Sequence, residues 1–157
     1  MAYELYNIDK KEFNTADAKS THVLTMDGSM CVVAYSGTSD YPWLESFSID
    51  TNGTMTLKDS HQHLSVKGIH TAITKLDSTH FIVSYISQSA LYLCTYSINL
   101  STGVITELST STVQNTSDYN TDYHMVTIDA THVMIVYRTV MKTTWQARVE
   151  VWSIAGI

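Results

Sequence analysis

Short runs rich in Val, Ile, Leu, Tyr and Thr alternate along the whole chain with clusters of Asp, Gly, Ser, Thr and Asn. This is the pattern of strands separated by turns, and no useful window repeats its apolar residues at the helical period. Residues 9–19 offer one helical turn at best. The pattern predicts an all-β protein.

The runs are not independent of one another. Met26-Asp27 recurs as Leu76-Asp77 and as Ile128-Asp129, and each pair precedes an apolar run that closes on tyrosine at Tyr35, Tyr85 and Tyr137. An aromatic-Ser-Ile triplet follows each run: Phe47-Ser48-Ile49, Tyr96-Ser97-Ile98 and Trp152-Ser153-Ile154. Two copies then pass through a turn, 50–53 and 100–103, into a further strand. Three landmarks in one order, three times over, make a repeat of about 50 residues. Its units are roughly 20–60, 70–110 and 122–157, within one domain spanning 1–157. Ala2-Tyr3-Glu4-Leu5 matches Ile105-Thr106-Glu107-Leu108, so residues 2–8 supply the fourth strand of the last unit by circular permutation.

Each unit predicts four strands. The first runs through 20–26, 70–76 and 122–128; the second through 30–36, 80–86 and 132–138. The third covers 43–49, 91–98 and 147–154; the fourth covers 2–8, 54–60 and 104–110. Pro42, the only proline, falls in a loop between second and third strands, where no ladder hydrogen bond is lost.

Two architectures accommodate three such units: blades of a β-propeller, or a β-trefoil. The second strand separates them. Cys31, Val33 and Tyr35 face one way and Met30, Val32 and Ala34 the other, and both sets are apolar. A strand apolar on both faces belongs to a sheet covered on both faces, as in a propeller blade between neighbours. A trefoil would show one such face, and its Gln-x-Trp signature is absent. The pattern I/L-D-x-T-H-x-x-V-x-Y … Y-S-I-x-x-x-T-G-x-I-T, carried best by residues 76–106, resembles the repeats of tandem β-propeller proteins found among phage structural proteins and bacterial surface proteins. The resemblance covers nearly the whole chain and implies a fold, with no reaction attached. Met30 departs from it where the motif has histidine, as does Ala155-Gly156 at the T-G turn. Propellers close with about 4–8 blades, so three blades predict half of a six-bladed ring closed by a homodimer.

Composition narrows the function classes. A net charge of −6 disfavours a partner held by phosphate neutralisation, so nucleic acid is not expected. No apolar run approaches the ~18 residues of a membrane-spanning helix. The N-terminus lacks the basic and apolar regions of a signal peptide; localisation is left unknown, with a virion or cell-surface assembly suspected. Cys31 and Cys94 sit inside apolar runs without metal or redox spacing and read as buried small hydrophobes.

No phosphate-binding loop, dinucleotide fingerprint, HExxH, GxSxG or CxxC is present. No catalytic residue, cofactor or metal is assigned. His80 and His132 share one slot after a tight turn and read as turn hydrogen-bonders. His22, His70 and His124 lie in or near the innermost strands and are candidates to converge on a channel. The loops between second and third strands, 36–42, 86–90 and 138–146, differ most between copies. They and the strand entries hold Asp40, Tyr41, Trp43, Arg138, Trp145 and Arg148. Exposed Trp and Tyr beside polar groups suit a sugar, the ring stacking on the pyranose C–H face. The expectation is a non-catalytic carbohydrate- or receptor-binding module. Its rivals are a structural virion or decoration protein, a trefoil lectin and, last, a glycosidase.

Overall fold

The fold was described from a computed structural model, which describes residues 9–12, 18–27, 29–62, 67–87, 90–115, 123–141 and 144–155. Eleven strands are formed there, in three separate antiparallel sheets. The first sheet joins β1 (Lys19–Thr25), β2 (Met30–Ser36), β3 (Pro42–Ile49) and β4 (Met55–Gln62) in chain order. The second repeats that order with β5 (Ile69–Lys75), β6 (His80–Ser87), β7 (Ala90–Ile98) and β8 (Ile105–Asn115). The third holds β9 (Tyr123–Asp129), β10 (His132–Met141) and β11 (Thr144–Ser153), with β11 at its edge among the described residues. The expected fourth strand over 2–8 lies outside the described residues.

These sheets are called blades 1 to 3. A turn built on aspartate joins the first and second strands of each one. Asp27 Oδ1 accepts the N–H groups of Ser29 and Met30, both at 2.7 Å. Asp77 Oδ1 accepts those of Thr79 and His80, and Asp129 Oδ1 that of Thr131. The Nδ1 atoms of His80 and His132 lie 2.8 and 3.0 Å from Oδ2 of their own aspartates. The repeated Asp-x-Thr-His motif is therefore a turn device, as the shared slot implied.

Blade stacks on blade. Met26, Met30, Val32, Ala34 and Leu44 of blade 1 pack on Phe81, Val83, Tyr85, Cys94 and Tyr96 of blade 2. The opposite face of blade 2, with Ile82, Leu91 and Leu93, packs on Val133, Ile135 and Tyr137 of blade 3. The face carrying the second-strand tyrosine thus looks back to the preceding blade, and the other face looks forward. Polar contacts stitch the junctions: Lys75 Nζ donates to Met26 O, Thr127 Oγ1 to Lys75 O, and Tyr123 Oη to Ser84 O at 3.0 Å. Ser46 Oγ donates to Gly103 O at 2.6 Å, seating the blade 2 turn on blade 1. Gly103 holds φ +82°, and a Cβ there would meet Lys58 Cβ at 2.3 Å.

Two sequence boundaries are corrected. Pro42 is the first residue of β3, paired with Ser36, rather than a loop residue; the first strand position loses no interior ladder bond. Residues 138–146 are mostly a hairpin extension, with Val140 paired to Trp145, because the β-branched Thr139, Val140 and Thr144 sustain the ladder.

Candidate functional site

The clearest cavity on blade 1, about 320 Å³, opens where β2 ends and β3 begins, on the tyrosine face. Tyr35, Thr38, Tyr41, Trp43, Glu45, Ser60 and Gln62 line it. A short helical turn, Thr38–Asp40, with positive φ at Ser39 and Asp40, brings the chain round to Tyr41. Strand alternation then sends Trp43 and Glu45 to one side of β3.

Glu45 is 3% exposed. Its Oε1 accepts Tyr35 Oη at 2.9 Å and Ser60 Oγ at 3.2 Å. Oε2 has no hydrogen-bond partner among the described residues. Burial pushes the carboxyl above its ordinary value of 4.5, and the two hydroxyl donors pull it part of the way back. An orphaned, desolvated carboxylate oxygen is costly unless a ligand group or water meets it.

The sites expected from sequence are divided by the structure. Tyr41 and Trp43 share the blade 1 cavity; Asp40 beside it pairs with Lys19 Nζ at 3.0 Å. Arg148 stands two blades away on β11, 3.9 Å from Glu150. The side chains of Arg138 and Trp145 lie outside the described residues. Within one chain the six therefore do not form one site. Trp43 and Arg148 nevertheless hold the same blade position, facing Tyr35 and Tyr137 across the ladder, and Tyr92 holds it in blade 2. There Tyr92 stacks on Tyr85 with centroids 4.9 Å apart.

Glu45 and Glu150 were missed by sequence reasoning. Tyr137 Oη donates to Glu150 Oε1 at 2.7 Å and Trp152 Nε1 to Oε2 at 3.2 Å, so blade 3 repeats the tyrosine–glutamate pair with both oxygens engaged. Blade 2 puts Cys94 in that slot. The signal was available as Glu-x-aromatic-Ser-Ile at 45–49 and 150–154.

Cys31 and Cys94 are buried free thiols, as expected. Burial, and after it the charge of His124, lower the pKa of His22; the side chain of His70 is not described. No group of three potential metal ligands occurs among the described residues, and no helix there is long and apolar enough to cross a membrane.

Comparison with known proteins adds fold and nothing more. No family model and no curated protein matches the chain. Among solved structures it is similar to a structural-genomics protein from Lactobacillus plantarum, with a TM-score of 0.52 at 10% identity. That match covers 88% of this chain and 42% of the other, so this chain spans less than half of its neighbour's length. The chain is an all-β protein of stacked antiparallel sheets with a propeller-like neighbour.

Proposed function

We propose that the protein is a non-catalytic binding module that takes a carbohydrate at the rim of blade 1, through Tyr41 and Trp43 at the mouth of the cavity where β2 ends and β3 begins. The observation carrying this reading is the placement of Tyr41 and Trp43 together on one lining with the polar Thr38 and Gln62. An indole or phenol face stacks on the apolar side of a pyranose, and polar side chains of the same lining meet its hydroxyls. Glycoside hydrolysis needs two carboxyl groups at a fixed separation; the described lining of this cavity offers one.

The same reading includes a ring of six blades, closed by a second copy. It is supported by the forward face of blade 3, where Val126, Ile128, Val149 and Val151 are 47–61% exposed. The blade 1 counterparts of Val126, Ile128 and Val149 are Leu24, Met26 and Leu44, which pack against blade 2, and that of Val151 is Ser46; Leu44 and Ser46 are 0% exposed. Both interior junctions set a forward face on a tyrosine face, so the partner that fits blade 3 is the tyrosine face of another blade 1.

A glycan array probed with wild type and Trp43→Ala tests the ligand. Binding that the substitution removes, with the circular dichroism spectrum unchanged, is the expected result. No glycan binding, together with stable incorporation into a larger particle, would favour the virion or decoration protein instead.

A further inference from the structure

We infer that the six-bladed ring is locked by strand exchange: residues 9–12 of one copy pair with β11 in blade 3 of the other. This rests on the ring reading above and adds the element that closes it.

The first observation is a repeated seat. Asp59, on the outer strand of blade 1, accepts the Ile105 N–H at Oδ2 over 2.8 Å and so ties that strand to blade 2. Asp9 makes the same bond to the Met55 N–H at 2.9 Å. Met55 and Ile105 are counterparts, paired with Ile49 and Ile98, and both bonds span 46 residues. Asp9 therefore sits on blade 1 as an outer-strand residue of the blade before it. In the ring, that blade is the partner's blade 3.

The second observation is charge. Within blade 1, Glu45 lies opposite Ser60 and Trp43 opposite Gln62. Carrying this register to blade 3 through Asp9 sets Lys10 opposite Glu150 and Glu12 opposite Arg148. Both are opposite-charge cross-strand pairs, and such pairs stabilise a ladder. Lys10, Lys11 and Glu12 are exposed and form no strand within the chain. This register starts three residues later than the match of Glu4 with Glu107 suggested.

The third observation is a cavity. About 300 Å³ lies between blades 2 and 3, lined by Ile82, Leu93, Thr95, Ser109, Trp152 and Ile154. Thr95 and Ser109 are the counterparts of Ser46 and Asp59. At the blade 1 junction those two residues receive the turn at Gly103 and the strand start at Ile105, which is buried. Among the described residues the counterpart seat at the blade 3 junction is thus open to an outer strand.

Charge reversal in trans tests this. Lys10→Glu/Glu12→Lys chains and Arg148→Glu/Glu150→Lys chains each carry mismatched pairs at both junctions. Each variant alone should dimerise roughly ten-fold more weakly or worse, and an equimolar mixture should recover wild-type association, because both mixed junctions are matched. A mixture no better than its components overturns the inference. Since Glu150 also holds Tyr137, a second test avoids charge: Glu12→Cys chains mixed with Arg148→Cys chains should form a disulfide-linked band of twice the chain mass. A chain carrying both substitutions that crosslinks only to itself overturns exchange. A wild-type protein measured as a monomer would instead remove the ring reading beneath it.

Discussion

Strands β6 and β10 carry the same sequence pattern and meet different fates. Every residue of β6 from Phe81 to Ser87 is buried, whereas the described side chains of β10 alternate, with Val133, Ile135 and Tyr137 buried and Met134 and Val136 only half so. Among the described residues, blade 2 is covered on both faces and blade 3 on one. Sequence dictates the capacity to be sandwiched, and position in the stack decides whether that capacity is used. An apolar forward face, identical in kind to one buried elsewhere in the same molecule, specifies its partner better than a generic hydrophobic patch would.

The covered junction should be the costliest to disturb. Leu44→Ala removes a fully buried side chain and should cost about 2–5 kcal/mol in urea denaturation. A loss near zero would mean that blades 1 and 2 are not packed on each other. Gly103→Ala forces a Cβ onto Lys58 at positive φ and should cost about 2 kcal/mol by the same measurement.

Next in size is the tyrosine–acid pair. Tyr35→Phe takes a donor from buried Glu45 and should cost about 1–3 kcal/mol. Tyr85→Phe should cost less, because the counterpart slot holds the thiol of Cys94. Equal losses would break the comparison between blades. The sign of the Glu45 pH effect follows from burial. Its folded pKa is raised above 4.5, so the folded state holds the proton more tightly, and stability falls as pH climbs from about the ordinary value through the raised one. Glu45→Gln should flatten the thermal midpoint across that window; an unchanged slope would count against a desolvated carboxyl.

The smallest effect belongs to the exposed turns. The Thr131 backbone N–H, and then the His132 and Thr131 side chains, lower the Asp129 pKa to about 2. Its stabilisation is present above the ordinary 3.8 and is lost as pH falls toward that lower value. Asp129→Asn should remove this acid-side dependence while leaving neutral-pH spectra unchanged.

Much of the fold was legible because the repeat announces itself. Aspartate turns, tyrosine-closed strands and aromatic-Ser-Ile triplets are local signals, and they located the described strands to within a few residues. The two-faced second strand revealed stacking because burial on both sides leaves no polar face to show. The site was only half legible. Loop variability pointed to Tyr41 and Trp43, but attention to differences between copies hid Glu45, which shares its slot with Glu150. Long-range placement was invisible too: that Arg148 lies two blades from Trp43 follows from the stacking order, which no local pattern encodes. The bond from Met55 to Asp9 crosses 46 residues, and only its twin at Asp59 gives it meaning.

The mass of the protein in solution tests the central claim most directly. By multi-angle light scattering at micromolar concentration, the wild-type chain should run at twice its 17.6 kDa. Val149→Glu, on the open face of blade 3, should return it to one chain with its β spectrum intact. A wild-type mass of 17.6 kDa at that concentration, with blade 3 still folded, would contradict a ring closed by a second copy.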